Sequence, residues 1–343
     1  MFDLADNPFT ILGVTPRSTK SEINEAVEEA MLDADGVEAE RRLNVARQAL
    51  IAPNERLRAE LGYLLEIRPA DARRVLGGRS REDWLQVATG TEGIARTNAL
   101  VQAVLTPRTP GDGTEPFEQL LEAWEEIDER EIAGRINEAR AIAGVADAGL
   151  PDIRRGLSEL RDYHASRTLE QLDAQARLPQ ILSRLLRDTL IPARRVGERF
   201  PAAVIAAYER RMGGALASFA DRALAALDNY VSDASTRSFD EFRHQLTAWD
   251  ELAQPLQLAS EARGVDDAHS KELYDRIRGS ALALANDKDR HDGALRITNL
   301  SAEVFAELPW AAEAIRDDAR KLNEILADKA RNRLLAPLAD AVA

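Results

Sequence analysis

Apolar side chains recur along this chain at the spacing of an α-helix. Across residues 20–32 the apolar positions follow one another at intervals of three and four. A helix brings such positions onto one face, whereas a strand would divide them between two faces. Further stripes of this kind are Phe117, Leu120, Leu121, Trp124 and Ile127; Ile132, Ile136, Ala139 and Ile142; and Leu178, Ile181, Leu182, Leu185 and Leu186. The pattern predicts an all-α protein.

The composition supports helices and a sizeable core. Of the 343 residues, 45% are hydrophobic, which is enough to bury the cores of two or three domains. Only 5% are aromatic, so the residues that favour strands are scarce. Because the chain has no cysteine, disulfides, thiolate metal sites and cysteine nucleophiles are excluded.

The charge indicates which classes of partner to expect. A formal net charge of −14 disfavours nucleic acid and anionic membranes, because both bind to cationic surfaces. The sequence shows neither a signal-peptide pattern at its start nor an apolar run of about 20 residues. We therefore expect a cytoplasmic protein with protein partners, and with neither a nucleic acid nor a membrane as partner.

The N-terminal segment is typical of several short helices. Pro8 suits a first helical turn and Gly13 suits a helix end, so the first helix is very short. Thr19 and Glu22 have the spacing of a capping box, in which each side chain accepts a hydrogen bond from the other residue's backbone N–H. The pattern predicts that a second, amphipathic helix starts there.

A polar turn at residues 33–36 then separates this helix from a third one, which is predicted to begin near Glu38. Pro53 is expected to end the third helix, and a fourth is predicted over residues 56–66. Two antiparallel helices with a short helix on either side would bury their apolar faces together.

Three stretches of this segment, NPFTILGV, SEINEAVEEAML and LNVARQALIAPNERLRAEL, resemble the J-domain of DnaJ-type co-chaperones. They are similar to the family's NPY-x-x-LGV opening, to its second helix, and to its alanine-rich third helix with the turn that follows. The resemblance covers residues 6–65, about a fifth of the chain. It implies a helical hairpin that docks onto a DnaK-type chaperone. The alternative is a hairpin whose opening imitates a J-domain by chance.

The chain departs from this family in two places. The family's His-Pro-Asp, which triggers ATP hydrolysis in the chaperone, is replaced by Asp-Ala-Asp-Gly at residues 33–36. The family's second helix is basic, whereas residues 21–32 contain four glutamates and neither Lys nor Arg. Because like charges at an interface suppress binding, we expect a fold kept for a different partner. The predicted partner-binding residues here are Glu25, Glu28, Glu29, Asp33 and Asp35.

Composition divides the chain into three parts. Residues 1–68 are predicted to form a degenerate J-like domain, residues 69–113 a linker region with one or two helices, and residues 114–343 a helical array or bundle that is subdivided near residue 235. No strict tetratricopeptide-like repeat is visible, so irregular packing is expected, with a solenoid-like arrangement as the alternative.

The stretches LTAWDELAQPLQLASEARG and LYDRIRGSALALAN resemble the C-terminal region of bacterial J-domain proteins that accompany atypical DnaK-like chaperones.

Motifs of catalysis and cofactor binding are absent from the sequence. There is no phosphate-binding or dinucleotide-binding glycine pattern, no zinc-protease motif and no nucleophile elbow. The acidic pair Glu125-Glu126 is expected to lie on a solvated helix face, with Glu126 paired to Arg130. The histidines are far apart in sequence: His164, His244, His269 and His291. We predict no catalytic, cofactor-binding or metal-binding residue, no cofactor and no enzyme activity.

A second candidate surface lies around Pro255. Proline lacks the N–H that a helix interior needs, so this residue is expected to kink or stop its helix and to expose a ledge. Trp249, Asp250 and Gln254 are therefore predicted to bind a partner. The alternative is that the tryptophan packs in the core.

These observations predict a non-enzymatic, co-chaperone-like adaptor. Its J-like head would dock a DnaK-like chaperone or an operon-encoded subunit, and its helical array would bind a client. The alternative is a structural or regulatory subunit of a bacterial conflict or defence assembly without chaperone activity. A third possibility is an enzyme of unrecognised type, which would gather carboxylates or histidines in one deep pocket.

Overall fold

The structure, a computed structural model, describes residues 3–65, 67, 76, 80–106, 114–174 and 177–340. Within these residues all regular secondary structure is helical, so the all-α prediction is confirmed. The chain divides into two compact units. The first comprises Met1–Leu178 and Glu198–Tyr208, and the second comprises Pro179–Gly197 and Glu209–Ala343.

The helices are numbered here in chain order. Those of the first unit are α1 (Pro8–Ile11), α2 (Lys20–Leu32), α3 (Val37–Ile51), α4 (Pro53–Leu61), α5 (Arg81–Thr89), α6 (Gly93–Leu105), α7 (Thr114–Glu125), α8 (Glu129–Ala143) and α9 (Leu150–Asp173). Then follow α10 (Leu178–Leu185), a π-helical turn (Leu186–Leu190), α11 (Arg199–Asp233), α12 (Thr236–Arg263), α13 (Ala268–Asn286), α14 (His291–Val304) and α15 (Pro309–Asp340). The first ten residues of α11 belong to the first unit and the remainder to the second.

The start of the chain forms the predicted helical hairpin. Helix α2 packs on α3, and both α1 and α4 also pack on α3. The capping box is confirmed, because the Glu22 N–H donates to Thr19 Oγ1 (3.3 Å) and the Thr19 N–H donates to Glu22 Oε2 (2.7 Å). The predicted turn between α2 and α3 is also confirmed, and it ends at Gly36, whose φ of +91° is readily available only to glycine.

The predicted bounds of the fourth helix are wrong. Helix α4 covers Pro53–Leu61 instead of residues 56–66. Pro53 occupies its first position, where the missing N–H has no helical partner to lose, so the proline starts this helix. The helix ends before Gly62, and the inward Leu57 and Leu61 are buried as predicted.

Buried side chains join the end of α4 to later helices of the first unit. The Asn98 side chain in α6 donates to the carbonyl oxygens of Leu61 (3.0 Å) and Tyr63 (2.8 Å). Gly156 of α9 packs so closely on Leu61 that an added Cβ would lie 2.4 Å from Leu61 Cδ1. The N-terminal helices α1 to α4 therefore share their core with α6 and α9. That residues 1–68 fold as a separate domain stays a prediction.

Replacing Asn98 with alanine is expected to lower the free energy of unfolding of the first unit by about 2 kcal/mol, because two buried carbonyl oxygens lose their donors. Urea unfolding followed by circular dichroism measures this loss. Asn44→Ala is the matched control, since the Asn44 amide donates only to Glu40 O within its own helix (3.1 Å). An equal effect of both substitutions would contradict a structural role for Asn98.

The second unit is held together by aromatic side chains. Helix α13 packs on α14, and α14 packs on α15. Tyr274 of α13 lies edge-on to Phe305 (5.4 Å between ring centroids) and to Trp310 (5.3 Å), and Trp249 of α12 contacts Phe305 (5.9 Å). Helices α13, α14 and α15 agree with the all-α prediction for this part of the chain, whereas a solenoid-like arrangement stays a prediction.

Pro255 does not stop its helix, which was one of its two predicted effects, while a kink at this residue stays a prediction. Helix α12 continues through it from Thr236 to Arg263, and the proline is buried. The helix ends where Gly264 takes a left-handed conformation (φ +68°). A proline inside a helix costs about 3 kcal/mol, and burial of the flanking apolar residues, including Leu256 and Leu258, offsets that cost. The predicted ledge is therefore not formed.

Candidate functional site

One face of α3 exposes large apolar side chains. Val37 is 81% exposed, Val45 55% and Ile51 44%. At 100° per residue, these three positions lie within about one third of the helix circumference. Leu32 at the end of α2 is 86% exposed and lies just across the loop. We call these four residues the α3 face. Clustered exposed apolar residues of this kind mark interaction surfaces in soluble proteins.

Acidic side chains lie beside the α3 face. Glu25, Glu28 and Glu29 of α2 are exposed, as are Asp33 and Asp35 in the loop that joins Leu32 to Val37. Among the described residues, none of these five carboxylates forms an ion pair, although Glu25 accepts a hydrogen bond from Ser21. The predicted partner-binding residues at this end therefore form one acidic, accessible border. That they bind a partner stays a prediction.

Two of the three arginines of α3 are paired with carboxylates outside that border. Arg41 pairs with Glu38 (2.7 Å) within the helix, and this guanidinium lowers the pKa of the Glu38 carboxyl below its usual range. Arg42 pairs with Asp6 (2.8 Å). Since both cations already have carboxylate partners, the surface around the loop carries net negative charge.

The other predicted site lies in the second unit and is less accessible. Trp249 is only 1% exposed, so the packing alternative describes its side chain. Asp250 and Gln254 are partly buried, and the Gln254 amide donates to Glu307 Oε1 (3.2 Å). Glu307 also pairs with Arg187 (3.1 Å). The three predicted residues thus border an internal polar cluster instead of a ledge.

Within this cluster, Asp250 is an unusual carboxyl group. Burial, together with the nearby carboxylate of Glu307, raises its pKa to about 7, while Gln257 and Arg187 act in the opposite direction. Its Oδ1 atom is buried and has no hydrogen-bond partner among the described residues. Buried charge without full compensation is unfavourable. The group therefore holds a proton at a pH where an ordinary aspartate has lost it.

The four histidines lie in different environments, and His164 is the most buried of them. In the described part of the chain, no three His, Asp or Glu side chains lie close enough together to hold a metal ion. His164 is buried edge-on to Trp124 (5.6 Å), and burial lowers its pKa to about 3. It is therefore a neutral packing residue.

One predicted ion pair is wrong. Glu126 was expected to pair with Arg130 on a shared helix, but α7 ends at Glu125 and α8 begins at Glu129. The chain turns between them, and Glu126 instead accepts a hydrogen bond from Arg96 of α6 (2.6 Å). Its neighbour Glu125 accepts one from the Phe200 backbone N–H (3.2 Å).

Residues of the α3 face were not among the predicted site residues. A signal for them is present, because Val37, Val45 and Ile51 do not belong to the buried stripe of Ala46, Ala49 and Leu50. A helix with a second group of apolar positions, outside the buried one, has more apolar surface than a single core contact needs.

Comparisons with protein-family models, with curated proteins and with solved structures found no match for this chain. The resemblance to a J-domain therefore stays a prediction from the sequence. Among the described helices, none combines the length and the apolar character needed to cross a lipid bilayer.

Proposed function

We propose that this chain is a non-enzymatic, co-chaperone-like adaptor that docks a protein partner through the α3 face. The observation that supports this is the exposure of Leu32, Val37 and Val45 beside unpaired carboxylates. Burying a valine or leucine side chain in an interface contributes about 1.5–3 kcal/mol. Helices of the second unit would hold a client or a second subunit.

The charge at this face defines the kind of partner. An apolar patch with an acidic border fits a protein surface that is apolar at its centre and basic at its rim, because complementary potentials favour encounter and binding. The J-domain resemblance makes a DnaK-like chaperone the first candidate. The acidic border, together with the missing His-Pro-Asp, favours a chaperone whose docking surface has been altered to match.

The same features support a second candidate, a structural or regulatory subunit of a multiprotein bacterial assembly. The reversed charge of α2 suits any partner with a basic surface, and the loop at residues 33–36 lacks the residues that stimulate a chaperone ATPase. In that case the α3 face would hold another subunit and no chaperone. The two candidates differ only in the identity of the bound protein.

The test is comparative affinity purification from the native host, followed by binding measurements with the purified partner. The full-length chain is compared with Val37→Ser/Val45→Ser, which keeps the charge and removes two apolar contacts. The double substitution is expected to weaken binding on the order of 100-fold, since each valine contributes about a factor of ten. Val265→Ser is the control, because Val265 is about as exposed (54%) as Val45 (55%) and lies outside the α3 face.

Two results would overturn this proposal. One is an unchanged dissociation constant for the Val37→Ser/Val45→Ser variant, which would remove the α3 face from the interface. The other is stimulation of a generic DnaK-type ATPase by the full chain, which would show that the missing His-Pro-Asp does not matter and that no chaperone with an altered docking surface is needed. Binding that weakens as salt is added is expected, because the acidic border acts through screened charges.

A further inference from the structure

A cluster of arginines covers one aromatic pair in the second unit. Tyr230 of α11 and Phe239 of α12 are both buried, with ring centroids 5.1 Å apart. The guanidinium carbon of Arg296 lies over Phe239 (4.1 Å from the centroid) and near Tyr230 (5.8 Å). Arg243 lies over Phe239 at 5.4 Å, and Arg290 over Tyr230 at 5.7 Å. We call these three arginines the arginine cluster.

These cations have few partners in a strongly acidic chain. Asp and Glu outnumber Lys and Arg by 59 to 45, yet among the described residues Arg243 and Arg296 form neither an ion pair nor a hydrogen bond. Arg290 donates to the Val231 carbonyl oxygen (3.1 Å) and acts on the carboxylate of Asp233. Asp233 itself accepts hydrogen bonds from Ser235 and Ser238. Arg243 and Arg296 therefore carry positive charge that no ion pair with a described residue neutralises.

The geometry prepares the guanidinium groups for an external anion. A guanidinium that lies over a ring face still has N–H donors in its own plane, and these match the two oxygens of a carboxylate. The ring contacts also restrict the side chains in advance, which lowers the entropy cost of binding. The guanidinium carbons of Arg243 and Arg296 lie 5.4 Å and 4.1 Å from the same Phe239 ring centroid, so they are within about 10 Å of each other. That distance is about the length over which 0.1 M salt screens charges, so both cations can act on one bound segment.

We propose that the arginine cluster is a docking site for an acidic polypeptide segment, with Arg243 and Arg296 binding its carboxylates. Nucleic acid fits less well for two reasons. The two rings are 2% and 1% exposed, so they cannot stack with bases, which is how aromatic residues bind single strands. The net charge of −14 also opposes a uniformly charged polyanion. This proposal gives the second unit a ligand, an acidic polypeptide segment, and it does not depend on the α3 face.

The test uses fluorescence anisotropy of the full chain with a labelled decaglutamate peptide. Arg243→Gln/Arg296→Gln is expected to weaken binding by at least about tenfold, because two charge-assisted hydrogen-bonding groups are lost. Arg222→Gln is the matched control, since Arg222 lies over Phe219 at the same 4.1 Å but in no arginine cluster. Arg243→Lys/Arg296→Lys keeps the charge and is expected to restore only part of the affinity, because lysine lacks the planar pair of donors.

The outcomes separate the alternatives. Equal binding by the wild-type chain and the Gln double variant, or no binding by either, overturns the site. Tighter binding of a single-stranded decanucleotide than of decaglutamate, lost in the same variant, also overturns it and assigns nucleic acid instead. Circular dichroism checks that both double variants fold. The Val37→Ser/Val45→Ser variant should bind decaglutamate like the wild type, so failure of the adaptor proposal and failure of this one are distinguishable.

Discussion

Replacing Glu60 with glutamine is expected to lower the free energy of unfolding of the first unit by about 3–5 kcal/mol, the usual cost of breaking a buried ion pair from one side. Glu60 is fully buried, and its two carboxylate oxygens accept hydrogen bonds from Arg56 Nε (3.0 Å) and Arg140 Nε (2.8 Å). Removing the negative charge leaves two buried guanidinium groups without a counter-ion.

Glu60, Arg56 and Arg140 form a buried charged triad. The other contacts of its two arginines explain why a local rearrangement in the variant cannot recover the lost stability. Arg56 also donates to the carbonyl oxygens of Pro16 (2.9 Å) and Leu50 (3.3 Å), and Arg140 donates to Ala146 O (3.2 Å). Both arginines are therefore held in place by backbone groups and cannot turn out to solvent. Burial raises the pKa of Glu60, against the attraction of both guanidinium groups.

Urea unfolding of the full chain at neutral pH measures the effect of Glu60→Gln. Glu38→Gln is the matched control, because Glu38 also pairs with an arginine at 2.7 Å but is exposed. Surface pairs contribute about 0–1 kcal/mol, so this control should be nearly neutral. Similar stabilities of the two variants would show that the triad is not buried as described. Replacing all three charged residues by apolar ones should recover most of the loss.

Replacing Asp250 with asparagine is expected to stabilise the second unit at pH 8, on the order of 3 kcal/mol. In the folded protein the pKa of Asp250 is raised to about 7, against an ordinary value of 3.8, so the side chain keeps its proton up to about neutral pH. Above pH 7 the wild-type chain must bury a carboxylate beside Glu307. An amide has nearly the same shape and carries no charge, so the variant avoids that cost.

The sign of the pH dependence follows from linkage. Between pH 3.8 and about 7 the folded state binds the proton more tightly than the unfolded state does. The stability that Asp250 contributes is therefore fully present below pH 3.8 and is lost as the pH rises to 7. The advantage of Asp250→Asn should accordingly be largest at pH 8 and disappear toward pH 4.

Urea unfolding of the full chain from pH 8 down to pH 4 tests this. Asp240→Asn serves as the matched control, because Asp240 lies on the same helix and is exposed. It should change stability little at any pH, as surface substitutions generally do. A wild-type chain that is as stable as the Asp250→Asn variant at pH 8 would show that Asp250 ionises normally.

The predictions that succeeded depend on neighbours within one or two helical turns. The capping box of Thr19 and Glu22 and the turn at residues 33–36 both arise from hydrogen bonds and backbone conformations of nearby residues. The errors at α4 and at Pro255 have a different source. At α4 the sequence reading missed that Pro53 also starts the next helix, where its missing N–H costs no hydrogen bond, and at Pro255 the surrounding packing keeps the helix continuous through the proline.

The residues of the candidate sites also divide into those that the local sequence predicted and those that depend on tertiary packing. The sequence showed the acidic loop and predicted its exposed carboxylates, because charged residues at a helix hairpin turn are rarely buried. It did not show that Val37 and Val45 are exposed, since that depends on which face of α3 the neighbouring helices cover. Nor did it show that Trp249 lies inside.

The sequence by itself determined that this protein is helical, that its second helix begins at the Thr19 capping box, and that its first hairpin is acidic, because these properties depend on local hydrogen bonding and composition. Only the tertiary structure decided which charges are buried or left unpaired. Glu60 and Arg140 are 80 residues apart, and Arg296 reaches Phe239 from another helix. Burial and electrostatic environment are set by groups distant in the chain, and periodicity carries no information about them.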